Sequence, residues 1–301
     1  MVKRVRDVAL PVGSAFRLAV ILSLCVSVVS ATPEKAKEFF NQGVTAGQAG
    51  KPDVAILAYK SAIDQDASYF DAYQNLGAIY FEKGMFDDAV KMFQTATEKN
   101  NKSAEAFTNL GRVELKLKKY IESETAFKTA ISLDDKNPAL LKELSKVYFA
   151  KGSFPEVIQT IEKAHALNAA DDMTYFMLGK AYEKEDKTTE AVAALKKSIS
   201  LKDKNYNAHF ALGQIYLGKN EYSDAAKSFK AALAADPKGY RASYNYAVAM
   251  ESLNQDALDQ NIANWQEFIR VAKTNPKAKD DVAIAQQHVK ELSESKKAKK
   301  G

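Results

Sequence analysis

The chain repeats itself every thirty-four residues. Gln74-Asn75-Leu76-Gly77, Thr108-Asn109-Leu110-Gly111, Phe176-Met177-Leu178-Gly179 and Phe210-Ala211-Leu212-Gly213 are versions of one phrase. Gly43, Gly77, Gly111, Gly179 and Gly213 fall on that ruler, and its two remaining ticks hold Ser145 and Ala247, both small. Unit starts fall at 36, 70, 104, 138, 172, 206 and 240. A fixed period of this length marks a chain of stacked modules, so 301 residues read as one elongated domain rather than two globules.

Other columns keep the same register. A small residue recurs at Ala62, Ala96, Ala130, Ala164, Ser198 and Ala232, preceded by a bulky column at Tyr59, Phe93, Phe127, Ile161, Leu195 and Phe229. A second small column holds Ala55, Ala89, Ser123, Val157, Ala191 and Ala225. Phe39, Tyr73, Phe107, Leu141 and Tyr175 lie near the unit starts, and Tyr80, Tyr148, Tyr182 and Tyr216 close the first halves. Each unit therefore carries two apolar stripes at helical spacing, separated by a polar turn such as Glu82-Lys83-Gly84 or Ala150-Lys151-Gly152. Two amphipathic helices per unit follow, with small residues where helices cross closely and aromatics in the gaps beside them. No unit buries its apolar faces alone, so the units must share a continuous core.

These columns resemble the tetratricopeptide repeat family. The sixth unit follows its pattern through Leu212, Gly213, Tyr216, Ala225, Phe229, Ala232 and Pro237, with His209 in an aromatic's place, and the likeness extends over residues 36–276. The resemblance implies an all-α fold, a right-handed α-α superhelical solenoid of seven helical hairpins over 36–278. The first unit departs from the pattern at Gln42 and Ala46, and the third has Glu114 in the Tyr column. The seventh carries about five extra residues around 253–263, expected in the turn between its helices. A fifteenth helix over 279–295 is expected to cap the stack, with Val282, Ala285, Val289 and Leu292 inward and a polar face outward. Residues 296–301 read as a basic, disordered tail.

In relatives of this kind the first helix of each unit lines a concave groove. The resemblance points the second, fifth, sixth, ninth, twelfth and thirteenth residues of each unit into it. Sixth positions include Asn41, Asn75, Asn109 and Asn245, whose amides can pair with the N–H and C=O of an extended chain. The ladder is interrupted at Glu143, Met177 and Ala211. Phe81, Phe149, Phe176, Phe210 and Tyr244, with Phe40 near the end, place aromatics on the same face, either for a partner or for packing against the next unit. Arg112, Lys142, Lys146 and Lys180 make the middle positive, against Glu143 and Glu183. They can hold acidic groups or simply form local ion pairs. The lysine and asparagine clamp of chaperone-binding relatives is absent, since its positions hold Phe40, Asn41, Val44 and Asn75.

The N-terminus reads as an address. Residues 1–17 are basic, 18–31 are uncharged and almost wholly apolar, and Val29-Ser30-Ala31 offers a cleavage pattern, so 1–31 is expected to be a signal peptide. An uncleaved anchor through 18–33 is the alternative, and it is the only membrane association expected. A lipid-modified Cys25 fits poorly, because bulky Leu24 precedes it. Cys25 is the sole cysteine, so a cleaved chain has no thiol.

The net charge of +5 is concentrated in the two termini, which argues against a nucleic-acid face. His165, His209 and His288 lie in separate units, and no hydrolase, zinc or phosphate-loop motif occurs. No enzyme activity, metal or cofactor is expected. The reading is a non-catalytic, exported scaffold holding a protein or peptide partner in its groove, periplasmic or secreted. A regulatory or accessory subunit of an envelope enzyme or polysaccharide machine is the alternative.

Overall fold

The computed structural model describes residues 32–299, so the expectations for residues 1–31 lie outside the described residues. Fifteen α-helices and no strand occur among the described residues. Packing groups them into two compact units that meet at residues 101 and 102. In the first unit, α1 (Pro33–Gln48) pairs with α2 (Pro52–Gln65), and α3 (Phe70–Glu82) with α4 (Phe86–Lys99). The second unit continues with the hairpins α5 (Ala104–Lys116) and α6 (Tyr120–Leu133), then α7 (Pro138–Lys151) and α8 (Phe154–Ala166). Next come α9 (Asp172–Lys184) and α10 (Thr188–Leu201), α11 (Tyr206–Gly218) and α12 (Tyr222–Ala235), and α13 (Tyr240–Leu253) and α14 (Leu258–Ala272). A 3-10 turn, Pro276–Ala278, leads into α15 (Lys279–Ala298). Seven hairpins and a final helix match the repeat read from the sequence.

The columns are the core. Both small columns, from Ala55 to Ala225 and from Ala62 to Ala232, are fully buried, and the bulky column from Tyr59 to Phe229 is at most 4% exposed. Each large member contributes about 2–3 kcal/mol on burial. The glycine column exists because of that bulk. A Cβ on Gly77 would stand 2.8 Å from Phe93, and one on Gly111 2.8 Å from Phe127, so in those hairpins the ring takes the space that a side chain on the facing helix would need.

Two further columns emerge from the backbone. Gly50, Gly84, Lys118, Gly152, Asp186 and Asn220 all take positive φ at the turn inside the first six hairpins. There the N–H two residues beyond the first helix's final turn reaches back into it, as from Met85 to the Tyr80 carbonyl (2.8 Å) and from Glu221 to that of Tyr216 (2.9 Å). The second column is the N-cap of the first helices, where Ser103, Asn137, Asp171 and Asn205 each accept a backbone N–H.

Three expectations need correction. The seventh unit's extra length is shared rather than held in its turn. α13 and α14 run to 14 and 15 residues against 13 and 14 in the sixth unit, and only residues 254–257 separate them. The basic tail is helical as far as Ala298, because Lys296 pairs with Asp259 and Lys299 with Asp256 (2.8 Å), tying the last turns of α15 to the start of α14. The outer face of α15 is not wholly polar, since Ile284 is 64% exposed. Val282, Val289 and Leu292 pack inward around buried Ala285, as read.

Candidate functional site

In the second unit the first helices of successive hairpins lie close enough to exchange ion pairs. Arg112 of α5 donates to Glu143 of α7 (3.1 Å), and Lys142 of α7 pairs with Asp171 at the start of α9. Asn205 at the start of α11 reaches Asp172 of α9 at 3.5 Å. These helices therefore present a shared face. Between α5 and α7 it dips into a depression of about 280 Å³ whose lining includes Thr108, Asn109, Arg112, Asn137 and Glu143. In the first unit Asn41, exposed, lines an open hollow of about 550 Å³ with Glu38, Gln42 and Thr45.

The asparagines hold an unspent polar capacity. Asn75, Asn109 and Asn245 are half-buried, and the side-chain amides of these three and of Asn41 make no hydrogen bond to another described residue. The interrupted rungs differ in kind. Met177 and Ala211 are in the core, 5% and 2% exposed, while Glu143 is committed to Arg112 and Lys146.

The aromatics are all half-buried, and each spends part of its ring within its own unit. Phe81 meets Phe86 edge-on at 5.6 Å, and Phe149 meets Phe154 at 6.2 Å. Phe210 stacks on Tyr206 at 5.8 Å and touches Phe229, while Phe176 packs against the core on both sides of α9. Phe40 lies between Tyr59 and Tyr69. Tyr244 sits edge-on to Trp265 (5.3 Å) and Phe268 (5.2 Å).

The cations are paired. Lys146 bonds Glu143 one turn away (3.1 Å), and Lys180 bonds Glu183 in the same way. Lys142 belongs to a denser group. Burial pushes the Asp171 carboxyl up, but hydrogen bonds from Lys142 and from the Thr174 N–H and hydroxyl outweigh it and hold the group below the usual carboxylate value. Close by, the His165 ring lies 4.5 Å from that of Tyr175, with its Nε2 3.0 Å from Thr174 Oγ1. Burial draws its pKa below the ordinary imidazole value.

The face continues at the end of the second unit into a larger cavity that the site reading from sequence missed. It occupies about 750 Å³ between α13, α14 and α15 and is lined by Tyr244, Val248, Glu251 and Ser252 with Trp265, Ile284 and His288. A signal for it was present. Those four α13 residues are the fifth, ninth, twelfth and thirteenth of the seventh unit, all groove positions, yet of the four only Tyr244 was singled out. His288 was considered only as a metal ligand. Among the described residues no group of three or more His, Cys, Asp or Glu side chains is placed to hold a metal, and no helix is long and apolar enough to cross a membrane.

A stack of helical hairpins with an amide-bearing face on its first helices defines a repeat protein built for contact with other chains. Family profiles described as tetratricopeptide repeat match residues 48–111, 104–137, 176–238 and 210–258, more than half of the chain. The chain belongs to the tetratricopeptide repeat family. No curated protein matches it.

Among solved structures, the C-terminal part of a TPR repeat-containing protein from Cytophaga hutchinsonii is similar, with a TM-score of 0.65 and 19% identity over 80% of this chain and 98% of that one. YrrB, described as a TPR protein with an unusual peptide-binding site, gives 0.52 and 19% over 66% of this chain and 97% of that one. The APC/C hetero-tetramer Cut9-Hcn1 gives 0.56 and 23% over 79% of this chain but only 46% of that one, so this chain spans less than half of it. At these identities the likeness is one of fold.

Proposed function

We propose that the chain is a non-catalytic scaffold that holds an extended segment of a partner protein along the first-helix face of its repeats. The observation that carries this is the set of amides at Asn75, Asn109 and Asn245, half-buried and unspent among the described residues. These amides are open to solvent and free to pair, and the backbone of an extended peptide offers each both an acceptor and a donor. Peptide binding by YrrB, as its description states, supports the same use of the fold. The reading includes export from the cytoplasm, supported by the basic and apolar residues 1–31.

Affinity capture on the immobilised chain identifies the partner. With that partner in hand, Asn75→Ala and Asn109→Ala are expected to weaken binding by about 1–3 kcal/mol for each lost pairing. Unchanged affinity in both variants would remove the amide ladder. A reporter fused after Gly301 is expected to be active only outside the cytoplasm, and cytoplasmic activity would refute export.

A further inference from the structure

The cavity at the end of the second unit has two kinds of wall. One is apolar and aromatic. Trp265 stands edge-on to Tyr244 at 5.3 Å and to the His288 ring at 5.2 Å, and Val248, Ala283 and exposed Ile284 extend it. The other wall is acidic. Glu251 and Glu291 both line the cavity, and no lysine or arginine is among its lining residues.

Glu251 is held in place from two sides. Trp265 Nε1 donates to its Oε2 at 2.7 Å, and His288 Nε2 lies 2.9 Å from Oε2 and 3.1 Å from Oε1. A carboxylate only accepts, so His288 carries its proton on Nε2. The two donors fix the carboxylate and leave lone-pair capacity on Oε1. On the far side of the imidazole, Glu291 is more than half exposed and accepts from Gln287 (2.9 Å) on Oε1, which leaves Oε2 open to a ligand.

The contrast with the rest of the face is one of charge. Arg112, Lys142, Lys146 and Lys180 give the middle repeats cations already matched by carboxylates. At the end of the stack two carboxylates gather around the His288 ring with no lysine or arginine in the cavity lining. Of the chain's basic C-terminus, Lys296 and Lys299 are engaged with Asp259 and Asp256.

We propose that this cavity anchors a partner segment in which a bulky apolar side chain is followed by lysine or arginine. The apolar group lies against Trp265, Tyr244 and Ile284, and the cation meets Glu251 and Glu291. The proposal rests on the scaffold reading above and adds the chemistry that the end of the face selects. At about 750 Å³ the space exceeds a single side chain and suits a short stretch of peptide. A guanidinium suits the site well, since it bonds carboxylates in its plane and stacks on indole.

Trp265 is the chain's sole tryptophan, so its emission reports on this cavity alone. The full chain is exposed to an array of short peptides in which phenylalanine or leucine is followed by arginine, glutamine or glutamate. Retained peptides are then titrated while tryptophan emission is read. Peptides with arginine are expected to shift the emission saturably, and their glutamate counterparts to leave it unchanged. Ile284→Ser and Glu291→Lys, both at exposed positions, are expected to weaken the arginine peptides about tenfold with unchanged thermal unfolding.

Equal binding of the glutamate series would overturn the proposal. So would an emission change that depends on protein concentration alone, which would assign the cavity to a second copy of the chain. Peptides retained with no response from Trp265 would leave the scaffold reading standing and remove this anchor. If no peptide is retained at all, both readings fall.

Discussion

Gly213 and Phe229 occupy one space: a Cβ on the glycine would lie 2.7 Å from the ring's Cε1. Gly213→Ala is expected to cost about 1–3 kcal/mol from overpacking, less up to about 1 kcal/mol of improved helix propensity. Phe229→Ile in the same chain is expected to recover part of the loss, whereas leucine would not clear the space, since a Cβ on Gly179 would still lie 2.7 Å from Leu195. The fourth unit has made this trade, since the same sixteen-residue offset pairs Ser145 with Ile161. Urea unfolding of the two single variants and the double variant checks the coupling, and strict additivity would show that the contact is not shared.

Lys118 and Asp186 hold left-handed backbone, with φ of 60° and 56°, at turns where Gly50, Gly84 and Gly152 stand in other units. A side chain there costs about 1 kcal/mol relative to glycine, offset in part by glycine's larger entropy in the unfolded chain. Lys118→Gly is expected to raise stability by about 0.5 kcal/mol, and Gly84→Ala to lower it by at least as much. Denaturant midpoints with unchanged slope distinguish these outcomes from a change in the unfolded state.

The N-cap column makes a graded prediction. Ser103→Ala removes one acceptor from a helix start and is expected to cost about 1 kcal/mol, and Asn205→Ala at least as much, since its amide also donates to Ser198 and Asp172. Asp171→Ala is expected to cost more than Ser103→Ala, because it also removes the pairing with Lys142, while the Asp171 N–H keeps its bond to Thr174 Oγ1. Equal losses at Ser103 and Asp171 in thermal unfolding would show that the Lys142 contact contributes nothing.

The surroundings of His165 set a pH dependence. Burial holds its folded pKa below the ordinary imidazole value, so the unfolded chain takes up the proton first as pH falls. Its contribution to stability is complete above the unfolded pKa of about 6.5 and is lost as pH falls through the lower folded value. Asp171 has the same sign further down: its stabilisation is present above about pH 3.9 and disappears as pH falls through its depressed folded pKa. Melting temperatures between about pH 7.5 and 5 should decline, with a shallower slope in His165→Gln. An identical slope in the variant would place the dependence elsewhere.

The sequence by itself determined the period, the hairpin and the buried columns. Each follows from residues repeated at helical spacing, such as Ala62, Ala96 and Ala130, which must be buried wherever the stack forms. It also offered the asparagines of the first helices. It did not disclose that Lys118 or Asp186 would take a glycine's conformation, because their side chains hide the column that the backbone keeps. Only the tertiary structure decided which cations were already matched, as Lys142 is by Asp171, and which carboxylates were not. It alone brought Glu251 of α13, Trp265 of α14 and His288 of α15 around one cavity. Periodicity records what each helix must bury, whereas ion pairs and cavities depend on where separate helices come to rest against one another. The seventh unit breaks the period, and there that placement could not be read in advance.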